Sequence, residues 1–139
     1  MGLFDKLKKK KDKENEYIKI DAKPLLDWNE NEGCIVSDMI TKEGWKVGYM
    51  CRGEALSNYP DSGWRFFKGD EDEGYSSDVS KHHIFALNTI CNYDPDIIPY
   101  LNAPVGSAFI RVSEKQFEPD DGEKPIFMMK QNRDDMEEL

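Results

Sequence analysis

Cysteine is scarce in this chain of 139 residues: Cys34, Cys51 and Cys91 make an odd count, and no two form a CxxC pair. That excludes a disulfide framework and leaves reduced, partly buried thiols. Histidine is scarcer still, with only His82 and His83. A zinc site built from these cysteines and histidines finds no support in their spacing. Long apolar runs are missing, so no segment has the length of a membrane span. No GxGxxG or GxxxxGK occurs, which removes the phosphate-cradling loops of nucleotide enzymes. Positive charge is in short supply beyond the N-terminus. Residues 1–13 hold six lysines and two aspartates, a net of +4; the whole chain is −9, so the remainder carries −13. An acidic body of this size repels phosphates and argues against nucleic-acid binding. It suits a basic partner, and it also serves solubility.

What is present describes one soluble domain with polar ends. Apolar residues are 38% and charged residues 34% of the chain. A domain of this length buries about 70% of the surface its unfolded chain exposes. The opening residues lack the basic, apolar and cleavage segments of a secretory signal, and Lys6 stands where a myristoylation motif has Ser or Thr. The expected location is cytoplasmic. Leu3, Phe4 and Leu7 fall on one helical face with lysines opposite, an arrangement that touches membranes or partner grooves when longer, but a frayed terminus is expected here. The expected organisation is a flexible basic tail over 1–16, a single domain over 17–117, and an acidic, largely irregular tail over 118–139.

The patterning points to several short strands and brief helices. Tyr17 to Ile20 alternates as a short strand does, and Pro24 to Trp28 reads as a turn or one helical turn. Cys34 to Val36 is a strand entering the core, Ser37-Asp38 a turn or bulge, and Lys42-Glu43-Gly44 a hairpin-type turn. Trp45 to Arg52 gives a second strand, with Gly48 marking a close backbone approach or a bulge. Trp64 to Phe67 is a third strand, Ile84 to Leu87 another, with Asn88 as cap of a helix over Thr89 to Tyr93. Asp94-Pro95 caps a further helix, which Pro99 keeps brief. Val105 to Val112 is one more strand. The absence of a βαβ rhythm makes the expected fold α+β, a mainly antiparallel sheet of about five strands with one or two short helices.

The most distinctive segment is Asp61-Ser-Gly-Trp-Arg-Phe-Phe-Lys-Gly-Asp-Glu-Asp-Glu73. Aromatic rings that want burial give way, at Gly69, to four consecutive acids that want water or a cation. The segment reads as a packed strand delivering an acidic loop to the surface. An EF-hand is excluded: counting from Asp70, a third ligand position falls on Gly74 and the twelfth on Lys81. Paired carboxylates for acid–base work carry little signal among 28 acids. Cys51 and Cys91 with His82 and His83 as bases lack any cysteine-hydrolase signature. Trp45, Tyr49, Trp64, Phe66 and Phe67 are read as core, with one or two exposed rings available beside the loop as an interaction anchor.

Several ordered motifs resemble a bacterial polymorphic-toxin immunity-protein family, formerly a domain of unknown function. They are Val36-Ser-Asp38, Gly44-Trp-Lys-Val-Gly-Tyr-Met50, Asp61 to Asp72, Leu87-Asn-Thr-Ile-Cys-Asn-Tyr-Asp-Pro-Asp-Ile-Ile98 and Pro104-Val-Gly-Ser-Ala-Phe109, together covering roughly residues 33–112. The resemblance implies a protein that neutralises a toxin by binding it, and it carries over no catalytic residue and no cofactor. The expectation is therefore a non-enzymatic binding protein whose partner is a basic toxin domain. Asp70, Glu71, Asp72 and Glu73 steer the encounter, with Arg65 and Tyr75 as neighbouring contacts. The alternatives are a metal-dependent regulator or small enzyme using clustered carboxylates, and a housekeeping interaction module. A metal that binds only the folded state raises the melting temperature, which separates the first of these from a binding protein.

Overall fold

Residues 16–28 and 32–131 are described by the structure, a computed structural model. The N-terminal face of Leu3, Phe4 and Leu7 lies outside the described residues. The central strand, here β3 (Asp61–Phe67), shows why the sheet has two unlike faces. Side chains alternate along a strand. Ser62, Trp64 and Phe66 fall on one face and are buried; Asp61, Arg65 and Phe67 fall on the other. The Trp64 and Phe66 rings stack 6.1 Å apart, and the indole N–H donates to the Leu101 carbonyl at 3.0 Å. Truncating either ring to alanine would cost about 3–5 kcal/mol, from lost burial and the cavity left behind.

Around β3 the chain forms one six-stranded sheet in the order β4-β1-β3-β2-β5-β6. The other strands are β1 (Gly33–Ser37), β2 (Tyr49–Arg52), β4 (His82–Ala86), β5 (Ala108–Arg111) and β6 (Phe117–Pro119). Only β1 and β3 run parallel; the remaining pairings are antiparallel. The fold is thus α+β with a mixed, mostly antiparallel sheet, one strand more than the patterning suggested. Among the described residues three short α-helices accompany it: α1 (Asp38–Thr41), α2 (Glu73–Ser77) and α3 (Leu87–Tyr93). Two 3-10 segments, Val79–Lys81 and Pro95–Tyr100, complete the list of described helical elements.

The first face of the sheet packs against α3 and the Pro95–Tyr100 segment. Cys34, Val36, Met50, Trp64 and Phe66 meet Leu87, Ile90, Cys91, Ile97 and Leu101 there. Asp94 caps the 3-10 segment as its place before Pro95 foretold, accepting from Asp96 N at 3.2 Å. It also accepts from Val47 N at 2.9 Å and pairs with the buried Arg111 guanidinium at 2.5 Å. Arg111 in turn reaches Asp96 at 2.9 Å, and Lys46 reaches the same carboxylate at 3.0 Å. This cluster fastens β5, the segment before β2 and the 3-10 helix together. Arg111 gave no sign of this role in the sequence, where it sits inside an apolar strand.

Several local expectations change under tertiary contacts. Tyr17 to Ile20 forms no strand; residues 16–28 cross the helical layer as an extended strap. Ile18 N donates to Thr41 O at 2.7 Å, and the Tyr93 hydroxyl donates to Ile18 O. Asn88 does not cap its own helix, which begins at Leu87. Its side-chain oxygen accepts from Leu25 N and Leu26 N at 2.7 and 3.1 Å, clamping the strap. Ser37 becomes the N-cap of α1, its hydroxyl accepting from Met39 N. Regular pairing in the Trp45–Arg52 stretch begins only at Tyr49, because Val47 N is taken by Asp94 and Lys46 N by Met129 O. Gly48 is the close approach its type announced: a Cβ there would run into the Lys68 carbonyl. Residues 126–131 return along the molecule, with Phe127 N donating to Arg111 O at 2.8 Å and Lys130 bridging to Trp45.

Candidate functional site

The second face of the sheet carries Tyr49, Cys51, Arg65, Phe67, Ile35 and Ile84, as the strand registers require. It is bordered by the loop before β3, by α2 and by the Val79–Lys81 turn. A groove of about 420 Å³ runs between them, floored by Ile35, Phe67 and Ile84 and walled by Leu56, Tyr59 and Val79. Three of its residues are large, apolar and exposed: Leu56 at 47%, Ile84 at 56% and Val79 at 88%. Phe67 and Ser76 also line a second hollow of about 240 Å³, together with Tyr49 and Glu71. The two hollows therefore share a wall, and the acidic loop reaches the second of them.

Each acid of that loop has its own surroundings. Gly69 turns the chain at φ +120, a conformation open to glycine and strained for other residues. Glu71 closes the turn, accepting from Lys68 N at 2.9 Å and Gly69 N at 2.7 Å. Asp72 is the N-cap of α2 and accepts from Tyr75 N at 2.8 Å. Asp70 is exposed and pairs with Lys68 at 3.1 Å, while the Lys68 ammonium lies 4.0 Å from the centre of the Trp45 ring. Glu73 is exposed in the first turn of α2, and its carboxylate makes no hydrogen bond or ion pair with the side chains of the described residues. Asp78 follows, capping the Val79–Lys81 turn through Ser80 N at 3.0 Å. From residue 70 to 78 there are five acids and no base. Two of the four acids at 70–73 thus shape the backbone, Asp70 shares its charge with Lys68 at the surface, and Glu73 presents its charge to solvent.

Arg65 and Tyr75 are less free than a contact residue beside the loop would suggest. The Arg65 guanidinium forks onto Asp61 at 2.9 and 2.7 Å and also reaches the Trp64 carbonyl. Burial alone would raise the Asp61 carboxyl, but Arg65 and the N–H groups of Leu56 and Gly63 hold it well below the usual carboxylate range. Tyr75 rests its ring against His82, centroids 5.7 Å apart, and its phenol is pushed up mainly by burial. His82 in turn meets Phe67, so an aromatic chain links α2 to the floor of the groove.

The five candidate aromatics divide between the layers. Trp64 and Phe66 are core; Tyr49 and Phe67 lie half-buried on the open face; Trp45 lies beneath Lys68 and Lys130. The thiols are poorly placed for nucleophilic work. Burial pushes the Cys34 and Cys51 thiols up, and Cys91 is pushed up to about 12 by burial and then by the neighbouring Asp94 charge. All three therefore carry their protons at neutral pH. Among the described residues no three His, Cys, Asp or Glu side chains gather around one point. No helix among them is long and apolar enough to cross a membrane. The sequence reading missed Leu56, Val79 and Ile84. Their signal was faint: single large apolar residues, two of them stranded in polar loop sequence.

What this geometry provides is a contact surface: the sheet face that no helix or strand of the described residues covers is apolar at the centre and acidic at one rim. A model described as the immunity protein Imm33 domain matches residues 34–121, more than half of the chain. The chain belongs to the Imm33 immunity-protein family, a class of toxin-neutralising proteins. The match runs from β1 past β6 and includes the acidic loop; the strap and the returning segment 126–131 lie outside it. No curated protein and no solved structure gives a significant match.

Proposed function

We propose that this protein neutralises a basic toxin domain by binding it in the cytoplasm and covering its active surface, with no bond made or broken. Family membership over residues 34–121 carries the reading. The loop supplies the electrostatics. Glu73 projects its charge to solvent, Asp70 sits exposed in a surface pair with Lys68, and Glu71 and Asp72 hold the loop in the shape that presents them. A field of one sign speeds the encounter with an oppositely charged partner, and the gain fades with salt. Arg65 and Tyr75 stiffen the neighbouring surface and contact the partner at its edge.

The test is the association rate with the toxin domain encoded beside the gene, measured at rising salt. Asp70→Asn combined with Glu73→Gln is expected to slow association about three- to tenfold at low salt and to flatten the salt dependence. Adding Glu71→Gln and Asp72→Asn completes neutralisation of the loop and deepens both effects. Unchanged rates in the fourfold variant, with wild-type binding intact, would remove the steering role from the loop.

A further inference from the structure

We infer that the groove on the open sheet face is the anchoring subsite for the partner, and that it takes a branched aliphatic or aromatic side chain from a segment flanked by lysine or arginine. The inference rests on the toxin-binding reading above and adds where the affinity comes from. Three observations carry it. Leu56, Val79 and Ile84 are three large apolar side chains left in water around one hollow, and their burial by a partner releases that hydration. The floor is stiff. Ile35 and Phe67 are held in paired strands, and the wall at Tyr59 stands beside the forked Arg65–Asp61 pair. A stiff hollow loses little entropy when a side chain enters it. Finally, the groove walls hold no lysine, arginine or acid, their only basic side chains being His82 and His83. Lys81 ends the bordering turn, but Asp78 adjoins Val79 and the four acids at 70–73 lead into α2, which supplies Ser76 to the groove, so the acids outnumber it.

That combination selects the occupant by charge. A second copy of this chain would bring the same acidic rim against itself. A positively charged segment meets the rim favourably while its apolar side chain enters the hollow. Anchors of this kind dominate binding energy when they fill a desolvated pocket near the centre of an interface.

The experiment uses the full chain and the toxin domain encoded beside the gene, with neutral polar substitutions so that long-range steering is untouched. Val79→Asn and Ile84→Asn are compared with Val105→Asn, a control whose exposure (50%) is close to that of Ile84 and which does not line the groove. The two groove variants are expected to leave the association rate unchanged and to speed dissociation about tenfold each, with the control at the wild-type rate. Val79 is so exposed that its substitution leaves the fold intact. Methyl NMR on the wild type gives a second reading: the Ile35 and Ile84 signals should shift on adding the toxin domain, while Ile97 and Val105 stay put. Wild-type dissociation in both groove variants with those methyls unmoved sinks the groove while leaving the immunity reading in place. Absence of any binding by the wild type sinks the immunity reading and the groove with it. A self-association that Val79→Asn abolishes overturns the inference in favour of a second copy as occupant.

Discussion

Four adjacent carboxylates look alike in the sequence and behave differently at the scale of the residue. Glu71 satisfies two backbone donors at the turn, and Asp72 satisfies one at the start of α2. Removing such an acceptor leaves donors unpaired. Glu71→Ala is expected to lower stability by about 1–2 kcal/mol and Asp72→Ala by about 1 kcal/mol, with Glu73→Ala within about 0.5 kcal/mol of wild type. Urea unfolding of the three variants checks this, and the ranking matters more than the values. Asp61 gives a pH dependence of known sign. Its carboxyl is held below its unfolded value by Arg65 and backbone N–H groups. Its contribution is therefore complete above the unfolded pKa near ~3.9 and is lost as pH falls through the lower folded value. Asp96, held down by Arg111 and Lys46 against the opposing effect of burial, adds in the same direction. Thermal melts between neutral pH and about pH 2 should show stability falling on the acid side, and Asp61→Asn should lessen that slope.

Among elements, the sequence was most legible where local chemistry decides the outcome. The alternation through Trp64 and Phe66 placed β3, Asp94-Pro95 marked a helical start, and Gly48 marked a backbone crossing. Long-range pairing was illegible. Nothing in Tyr17 to Trp28 announces that Asn88 and Asn92 clamp it from 60 or more positions away, and nothing in Ile126 to Gln131 announces a return to Gly44 and Lys46. The open face was hidden for a related reason. Ile35 and Ile84 look like core residues until the sheet order shows that α3 covers only the opposite side. Arg111 is the clearest case of a partner the local pattern conceals. Asp94→Ala would leave its guanidinium buried beside a vacated position, with an expected cost of about 3–5 kcal/mol. Denaturant midpoints test this, and a cost below about 1 kcal/mol would mean that the Arg111–Asp96 pair and apolar packing hold β5 and the 3-10 segment without Asp94.

For the molecule as a whole, charge and shape divide the labour. In the function proposed above, the excess of negative charge sets how fast a basic partner arrives, and the apolar hollow sets how long it stays. The two kinds of variant should therefore separate cleanly in kinetics, the loop acids acting on association and the groove residues on dissociation. Neutralisation by occupancy, as proposed, also fixes the arithmetic of inhibition: one bound molecule silences one toxin, and time adds nothing once binding has equilibrated. The most direct test titrates this protein into a fixed amount of the toxin domain encoded beside its gene and follows residual toxin activity. Activity should fall linearly to a plateau at a fixed molar ratio and be unaffected by longer preincubation. Progressive loss of activity at substoichiometric amounts would contradict the account, because it would mean that this chain turns over its partner instead of covering it.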